Sequence, residues 1–272
     1  MAAAQPVPPH GDDVYRPKPG QRGKDVMWLG TPETMVAAML KAARVGPADL
    51  VADLGAGDGR IAIAAARDFG ARALGIEYEP PMADLARRNA GRAGVADRVR
   101  IVTGDIFRED FSAATVVTLY LLPELNLQLR PQLLDMTPGT RVVSYAWTMA
   151  EWEPDDLVRA DPRDPYPQDA YLWIVPANVA GRWVLTEDGG SFRATLELEQ
   201  RFQKIGGTIR IDGSPERQPI LGAFLVAREF GFTFVDRDGG VKAVRLEVDR
   251  GRASGSSRLG EYVVRIGARR AD

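Results

Sequence analysis

The stretch VADLGAGDGRIAIAAA, residues 51–66, passes from a buried apolar run ending at Leu54, through glycines at 55, 57 and 59, into an alanine-rich helical run from Arg60. A strand, a glycine turn and a helix in that order bring a ligand against bare backbone at a helix N-terminus, where unpaired N–H groups point outward. The same turn also serves as a bare βα connection. Its neighbours therefore decide what it does.

Working outward, short apolar runs suited to a sheet covered on both faces fall at 50–54, 73–77, 99–104, 115–121 and 140–145. Helical stretches separate them at 59–69, 81–93 and 123–135, the last two opened by Pro80, Pro81 and Pro123. On the N-terminal side Thr31 precedes Pro32, which predicts a hydroxyl N-cap and a helix over 32–44. Strand and helix alternating at this spacing predict an α/β fold, a doubly wound Rossmann-like sheet with right-handed crossovers. After Tyr145 the alternation stops. DDLVRA and AYLWIVPA, flanking the proline-rich DPRDPYPQD, predict a hairpin that closes the sheet. From Gly181 the runs GRWVLT, SFRATLELEQRF, GTIRID, FGFTFVD, VKAVRLEVD and EYVVRIG, with Gly-, Asp- and Ser-rich links, predict a small antiparallel β domain, sandwich or barrel. The expected organisation is an extended N-terminal arm over 1–24, an α/β domain over 25–177 and a β-rich C-terminal domain over 178–272.

Composition narrows the chemistry. Lysine plus arginine (35) nearly balance aspartate plus glutamate (37), without a long run of one sign, so no nucleic-acid partner is expected. No apolar stretch reaches the length of a membrane span. The chain has no cysteine and a single histidine, His10, in a proline-rich lead that reads as a solvated tail. Disulfides, thiolate nucleophiles and Cys/His zinc sites are excluded, a histidine triad would need His10, and no metal ligand set is expected. Catalysis must then run on carboxylates, hydroxyls, amides, rings, Lys or Arg, or on a bound cofactor.

The carboxylates fall at the strand ends. Glu77 closes the run GIEYEP and Asp105 the run VTGDIF, both at the edge that carries the glycine loop, and Asp53 precedes that loop. Glu77 can accept two hydrogen bonds from ribose hydroxyls, and Asp105 beside Ile106 and Phe107 suits an adenine with its donor amine and apolar ring. Three acids at successive strand ends describe an adenosine pocket. Arg60 stands where a dinucleotide-binding turn carries its third glycine, which favours a ligand without a pyrophosphate.

DLGAGDGR, GIEYEP and VTGDIF resemble the first three motifs of the class I S-adenosylmethionine-dependent methyltransferases. More narrowly, DVMWLGTPETMVAAML and ATVVTLYLLPELNLQLRPQLL resemble bacterial relatives of the ATP synthase c-subunit lysine N-methyltransferase group, over roughly residues 25–176. The resemblance implies S-adenosyl-L-methionine as cofactor, with Gly55 and Gly57 approaching its methionine part, Glu77 holding the ribose and Asp105 with Ile106 holding the adenine. It places Thr31 and Tyr120 at the methyl-transfer end, Tyr120 orienting the acceptor, and it implies an acceptor that is a protein lysine or another amine, in a protein or a small molecule. The place after the fourth strand reads YLLPELN, without the Asn/Asp-Pro-Pro of DNA and glutamine methyltransferases, so an exocyclic or carboxamide nitrogen is disfavoured. Trp28, Trp147 and Trp152 are candidate walls of the acceptor pocket or core residues. A nicotinamide-dependent oxidoreductase and a non-catalytic binding protein on a degenerate methyltransferase fold are the alternatives. A cytoplasmic location is expected, although AAAQ after Met1 reads equally as the remnant of a removed export signal. Oligomeric state is not legible.

Overall fold

The computed structural model describes residues 11–163 and 167–271, so His10, the AAAQ lead and part of the DPRDPYPQD link lie outside the described residues. The chain divides into two compact units between Trp173 and Ile174. Among the described residues no helix is long and apolar enough to cross a membrane.

In the first unit α1 (Glu33–Ala42) precedes β1 (Leu50–Leu54), α2 (Arg60–Phe69), β2 (Arg72–Glu77), α3 (Pro80–Arg92), β3 (Val99–Thr103), β4 (Val116–Leu119), α4 (Pro123–Leu134) and β5 (Arg141–Tyr145). Two further strands, β6 (Asp156–Val158) and β7 (Ala170–Ile174), complete a seven-stranded sheet of order β3-β2-β1-β4-β5-β7-β6. The ladders β3-β2, β2-β1, β1-β4 and β4-β5 are parallel, and β6 pairs antiparallel with β7 as the expected closing hairpin. The order reverses direction beside β1. Such a switch point leaves a crevice beyond the carboxyl ends of β1 and β4, where open α/β sheets bind ligands.

The central strands are apolar because both sheet faces are covered: Val51, Ala52 and Leu54 of β1 and Val116, Val117 and Leu119 of β4 are fully buried. Alanines on α2 and α3, including Ala62, Ala65, Ala83 and Ala86, let those helices pack closely. One expectation fails. α1 begins at Glu33 with Pro32 as its cap, and no side chain caps it. The helix starts one residue later than a Thr31 cap requires, so the cap position falls on Pro32, which has no side-chain acceptor; Thr31 is buried, and its backbone carbonyl accepts a hydrogen bond from Arg60 Nη1 at 2.8 Å.

The second unit runs through β8 (Gly181–Glu187), β9 (Arg193–Arg201), β10 (Lys204–Ile211), β11 (Gln218–Pro219), β12 (Leu221–Val226), β13 (Glu229–Val235), β14 (Val241–Asp249), β15 (Arg252–Leu259) and β16 (Tyr262–Arg270). The antiparallel sheet has the order β11-β10-β9-β8-β16-β15-β14-β13-β12. Only Ile220 separates β11, which pairs with β10, from β12, which pairs with β13. The two ends of the sheet are thereby joined, and it curls into a nearly closed barrel. Trp183, Phe230, Phe232 and Phe234 fill its apolar core. Three strands or parts of strands escape the sequence reading: β11, β12 and β15.

Candidate functional site

One cleft in the first unit takes residues from the carboxyl ends of β1, β2, β3 and β4 and from the segment ahead of α1. Thr31, Asp53, Gly55, Gly57, Glu77, Asp105, Ile106 and Tyr120 all line it, so the structure brings together the residues assigned to cofactor and acceptor in the sequence.

The glycine loop forms the floor. Gly55, Gly57 and Gly59 have φ of +80°, +56° and +83°. At Gly57 conformation and space both demand glycine, because an added Cβ would stand 2.7 Å from the Trp28 indole nitrogen. Glu77 fixes the loop: its Oε2 accepts the Gly57 N–H at 2.8 Å and its Oε1 accepts the Glu79 N–H at 2.9 Å. A carboxylate has about four lone-pair positions, so both oxygens retain acceptor capacity towards the cleft. Burial raises the Glu77 pKa, against the lowering effect of the Glu79 and Gly57 amides.

Asp53 lies deeper, 3% exposed, and accepts the Thr118 hydroxyl at 2.8 Å. The β1-β4 register puts these two residues side by side. Burial pushes the Asp53 carboxyl up to about 7; Thr118 opposes the shift, the charges of Asp58 and Glu77 add to it, and Arg60 offsets part. A cationic group entering this corner would meet three acids in a poorly solvated setting, where charge interactions are strong.

Asp105 accepts the Phe107 N–H at 3.0 Å and the Lys24 ammonium at 2.9 Å. The Phe107 amide, then Lys24, hold its carboxyl below the ordinary range. Lys24 also stands over the Tyr78 ring, 4.8 Å from its centroid. At the far end Tyr120 is half-buried with its ring edge-on to Tyr145 at 4.6 Å. Burial raises its phenol pKa, so the hydroxyl stays protonated at neutral pH and acts as a hydrogen-bonding group, not a base.

The three tryptophans separate. Trp28 lines the cleft. Trp152 is fully buried against Trp173 at 5.9 Å between ring centroids and belongs to the core. Trp147 is largely exposed and is not among the cleft residues. Sequence reasoning missed Thr118, whose signal was a lone hydroxyl in an apolar strand, and Lys24, for which there was no local signal.

The family model described as the ANTKMT methyltransferase domain matches residues 53–156. The chain is 40% identical over 152 residues to a protein-lysine N-methyltransferase of Saccharolobus islandicus, covering 55% of this chain and 94% of that protein. It is 35% identical to the ATP synthase c-subunit lysine N-methyltransferase of Mus musculus over 121 residues, which span 44% of this chain and about half, 47%, of that relative. Among solved structures, an RNA methyltransferase from Salinibacter ruber in complex with S-adenosyl-L-homocysteine is 47% identical, with a TM-score of 0.52, covering 56% of this chain and 96% of that one.

Proposed function

The chain belongs to the class I S-adenosylmethionine-dependent methyltransferases, and from that premise we propose that it transfers methyl groups to lysine side chains of a protein. The observation that carries the cofactor site is the gathering of Asp53, Gly55, Gly57, Glu77, Asp105 and Ile106 in one cleft. The residues fit S-adenosylmethionine on structural grounds: a glycine loop with positive φ at Gly55, Gly57 and Gly59 that puts no side chain of its own into the cleft, a fixed Glu77 carboxylate, and a buried acid at Asp53. In this reading Glu77 takes the ribose hydroxyls, Asp105 with Ile106 takes the adenine, and Asp53 and the glycine loop face the methionine part.

Bound S-adenosylmethionine supplies a methyl group already activated on a sulfonium, so the protein must chiefly align a neutral amine and exclude water. Tyr120 is the catalytic residue of this proposal: its protonated hydroxyl and ring face hold the acceptor nitrogen in line without removing its proton. Leu121 and Leu125 beside it lower the polarity of the cleft, which favours the neutral form of an entering ammonium. That account needs no histidine or thiolate.

The Saccharolobus islandicus relative, over nearly its whole length, supports lysine as acceptor. An RNA acceptor is the second reading, favoured by the solved relative from Salinibacter ruber. Incubation of the purified protein with cell extract and methyl-labelled S-adenosylmethionine separates them. Label recovered as methyllysine after protein hydrolysis is the expected result; label released by ribonuclease would replace lysine with RNA.

A further inference from the structure

Residues 20–31 form a wall of the cleft that the glycine loop, the strand ends and α2 do not supply. Gly20 N donates to Trp28 O and Trp28 N to Gln21 O, each at 2.9 Å, and Gly23 N donates to Val26 O at 2.9 Å. With the bridge between Arg22 and Met27, these bonds make a small hairpin whose tip is 23–26. The tip and the following residues line the cleft from Gly23 to Thr31.

Two of the hairpin's contacts lie at its root and at its tip. At its root the Arg60 guanidinium is forked onto Asp58, with Nε at 3.0 Å and Nη2 at 2.6 Å, while Nη1 donates to Thr31 O at 2.8 Å. Gly30 lies directly against the same guanidinium, since a Cβ there would stand 2.6 to 2.7 Å from three of its atoms. Arg60 and Asp58 side chains are only 19% and 10% exposed. That bidentate, shielded pair lies within the glycine loop and holds the guanidinium in place, so that Nη1 meets the Thr31 carbonyl at the hairpin's root. At the tip Lys24, its side chain 35% exposed, reaches Asp105 and stands over the Tyr78 ring, an exposed ion pair of the sort that water and salt weaken.

We infer that Arg60 is a positioning residue, which fixes the root of a hairpin that closes over bound cofactor, and that the Lys24–Asp105 pair is a releasable latch at the hairpin's tip. Arg60 thus takes up the position of a third loop glycine for a reason: it couples the glycine loop to the segment carrying Trp28 and Thr31. The hairpin opens about its fixed root when Lys24 leaves Asp105, and the cofactor passes beneath it. The inference rests on S-adenosylmethionine binding in this cleft.

Release of S-adenosyl-L-homocysteine, followed by stopped-flow displacement, tests the inference, together with hydrogen exchange of the amides in 20–29. For Arg60→Ala the release rate should rise about tenfold or more, and bound ligand should no longer slow exchange in the hairpin as it does in the parent. Arg60→Lys should restore little, because an ammonium cannot make the fork. Lys24→Met should raise association and release rates by similar factors, about threefold or more, leaving affinity nearly unchanged. Gly30→Ala, whose Cβ would press on the Arg60 guanidinium and part it from the hairpin's root, must reproduce the faster release even if Arg60→Ala does not fold. Parent-like release and protection in either folded root variant would overturn the positioning role, and parent-like rates in Lys24→Met would overturn the latch. A parent chain that fails to bind S-adenosyl-L-homocysteine at all would remove the premise, a result distinct from any of these.

Discussion

At the scale of single residues, the site depends on carboxylates doing different work in different surroundings. Glu77 is both a candidate ribose ligand and the anchor of Gly57 N and Glu79 N, so Glu77→Ala removes acceptors from the cleft and loosens its floor. Affinity for S-adenosyl-L-homocysteine should fall by roughly 30-fold to 1000-fold, about 2 to 4 kcal/mol, measured by calorimetric titration. Glu77→Gln, which keeps one carbonyl acceptor, should fall less. An unchanged dissociation constant in the alanine variant would take Glu77 out of the site. Asp53 behaves differently because its carboxyl is pushed up to about 7 in the fold from an ordinary 3.8. Between those values the folded chain binds more protons than the unfolded one at this position, so its contribution to stability is fully present below about pH 4 and is lost as pH rises towards about 7. Asp53→Asn keeps a neutral, hydrogen-bonding side chain there. Its melting temperature should gain on the parent's as pH rises from about 5 to about 8, by the same linkage; parallel curves would mean that Asp53 is already ionised throughout. Glu77, Asp105 and the glycines were legible in the sequence because each sits at a strand end beside a turn. Thr118 and Lys24 were not, since their roles come from strand register and from a contact across 81 residues.

At the scale of elements, the turn between β1 and α2 is the most demanding piece of backbone in the first unit. Gly57→Val would place a β-branched side chain at φ +56° and drive it into the Trp28 indole, so cofactor binding should be lost more completely than in Glu77→Ala. Circular dichroism must show native secondary structure for this comparison; a folded variant with parental affinity would dissociate the loop from the ligand. The parallel strands were readable because burial on both faces makes them continuous apolar runs, and the prolines at 80, 81 and 123 mark the starts of α3 and α4. The strands that escaped notice lack that signal. β15, RASGSSRL, presents glycine and serines in place of alternating apolar residues, and only Ala253 and Ser257 of it are buried. β12 carries a register shift between Leu221 and Phe224, which breaks the period-two pattern by which a strand is recognised. The cap expected of Thr31 failed because the helix begins at Glu33, which moves the cap position to Pro32.

At the scale of the whole molecule, the residues of the cleft lie between Gln21 and Leu125, within the first compact unit. We propose that this unit binds cofactor by itself and that the β-rich remainder serves acceptor recognition or stability. A chain ending at Ala177 should therefore fold and bind S-adenosyl-L-homocysteine within about tenfold of the full chain, or 1.4 kcal/mol. A folded, monomeric fragment without affinity would show that the site draws on the C-terminal unit. The second unit was legible from the change of pattern at Gly181, from which strand-like runs follow one another with links rich in Gly, Asp and Ser. The closure of the second unit was not, because it rests on β11 and β12 flanking a single residue, Ile220. Calorimetric titration of the full chain with S-adenosyl-L-homocysteine, and in parallel with NAD, tests the central claim most directly, since the cleft is read as a site for an adenosine without a pyrophosphate. The account predicts one S-adenosyl-L-homocysteine bound per chain and affinity for NAD weaker by about 100-fold or more; tight binding of NAD, or no binding of S-adenosyl-L-homocysteine by the folded chain, would contradict it.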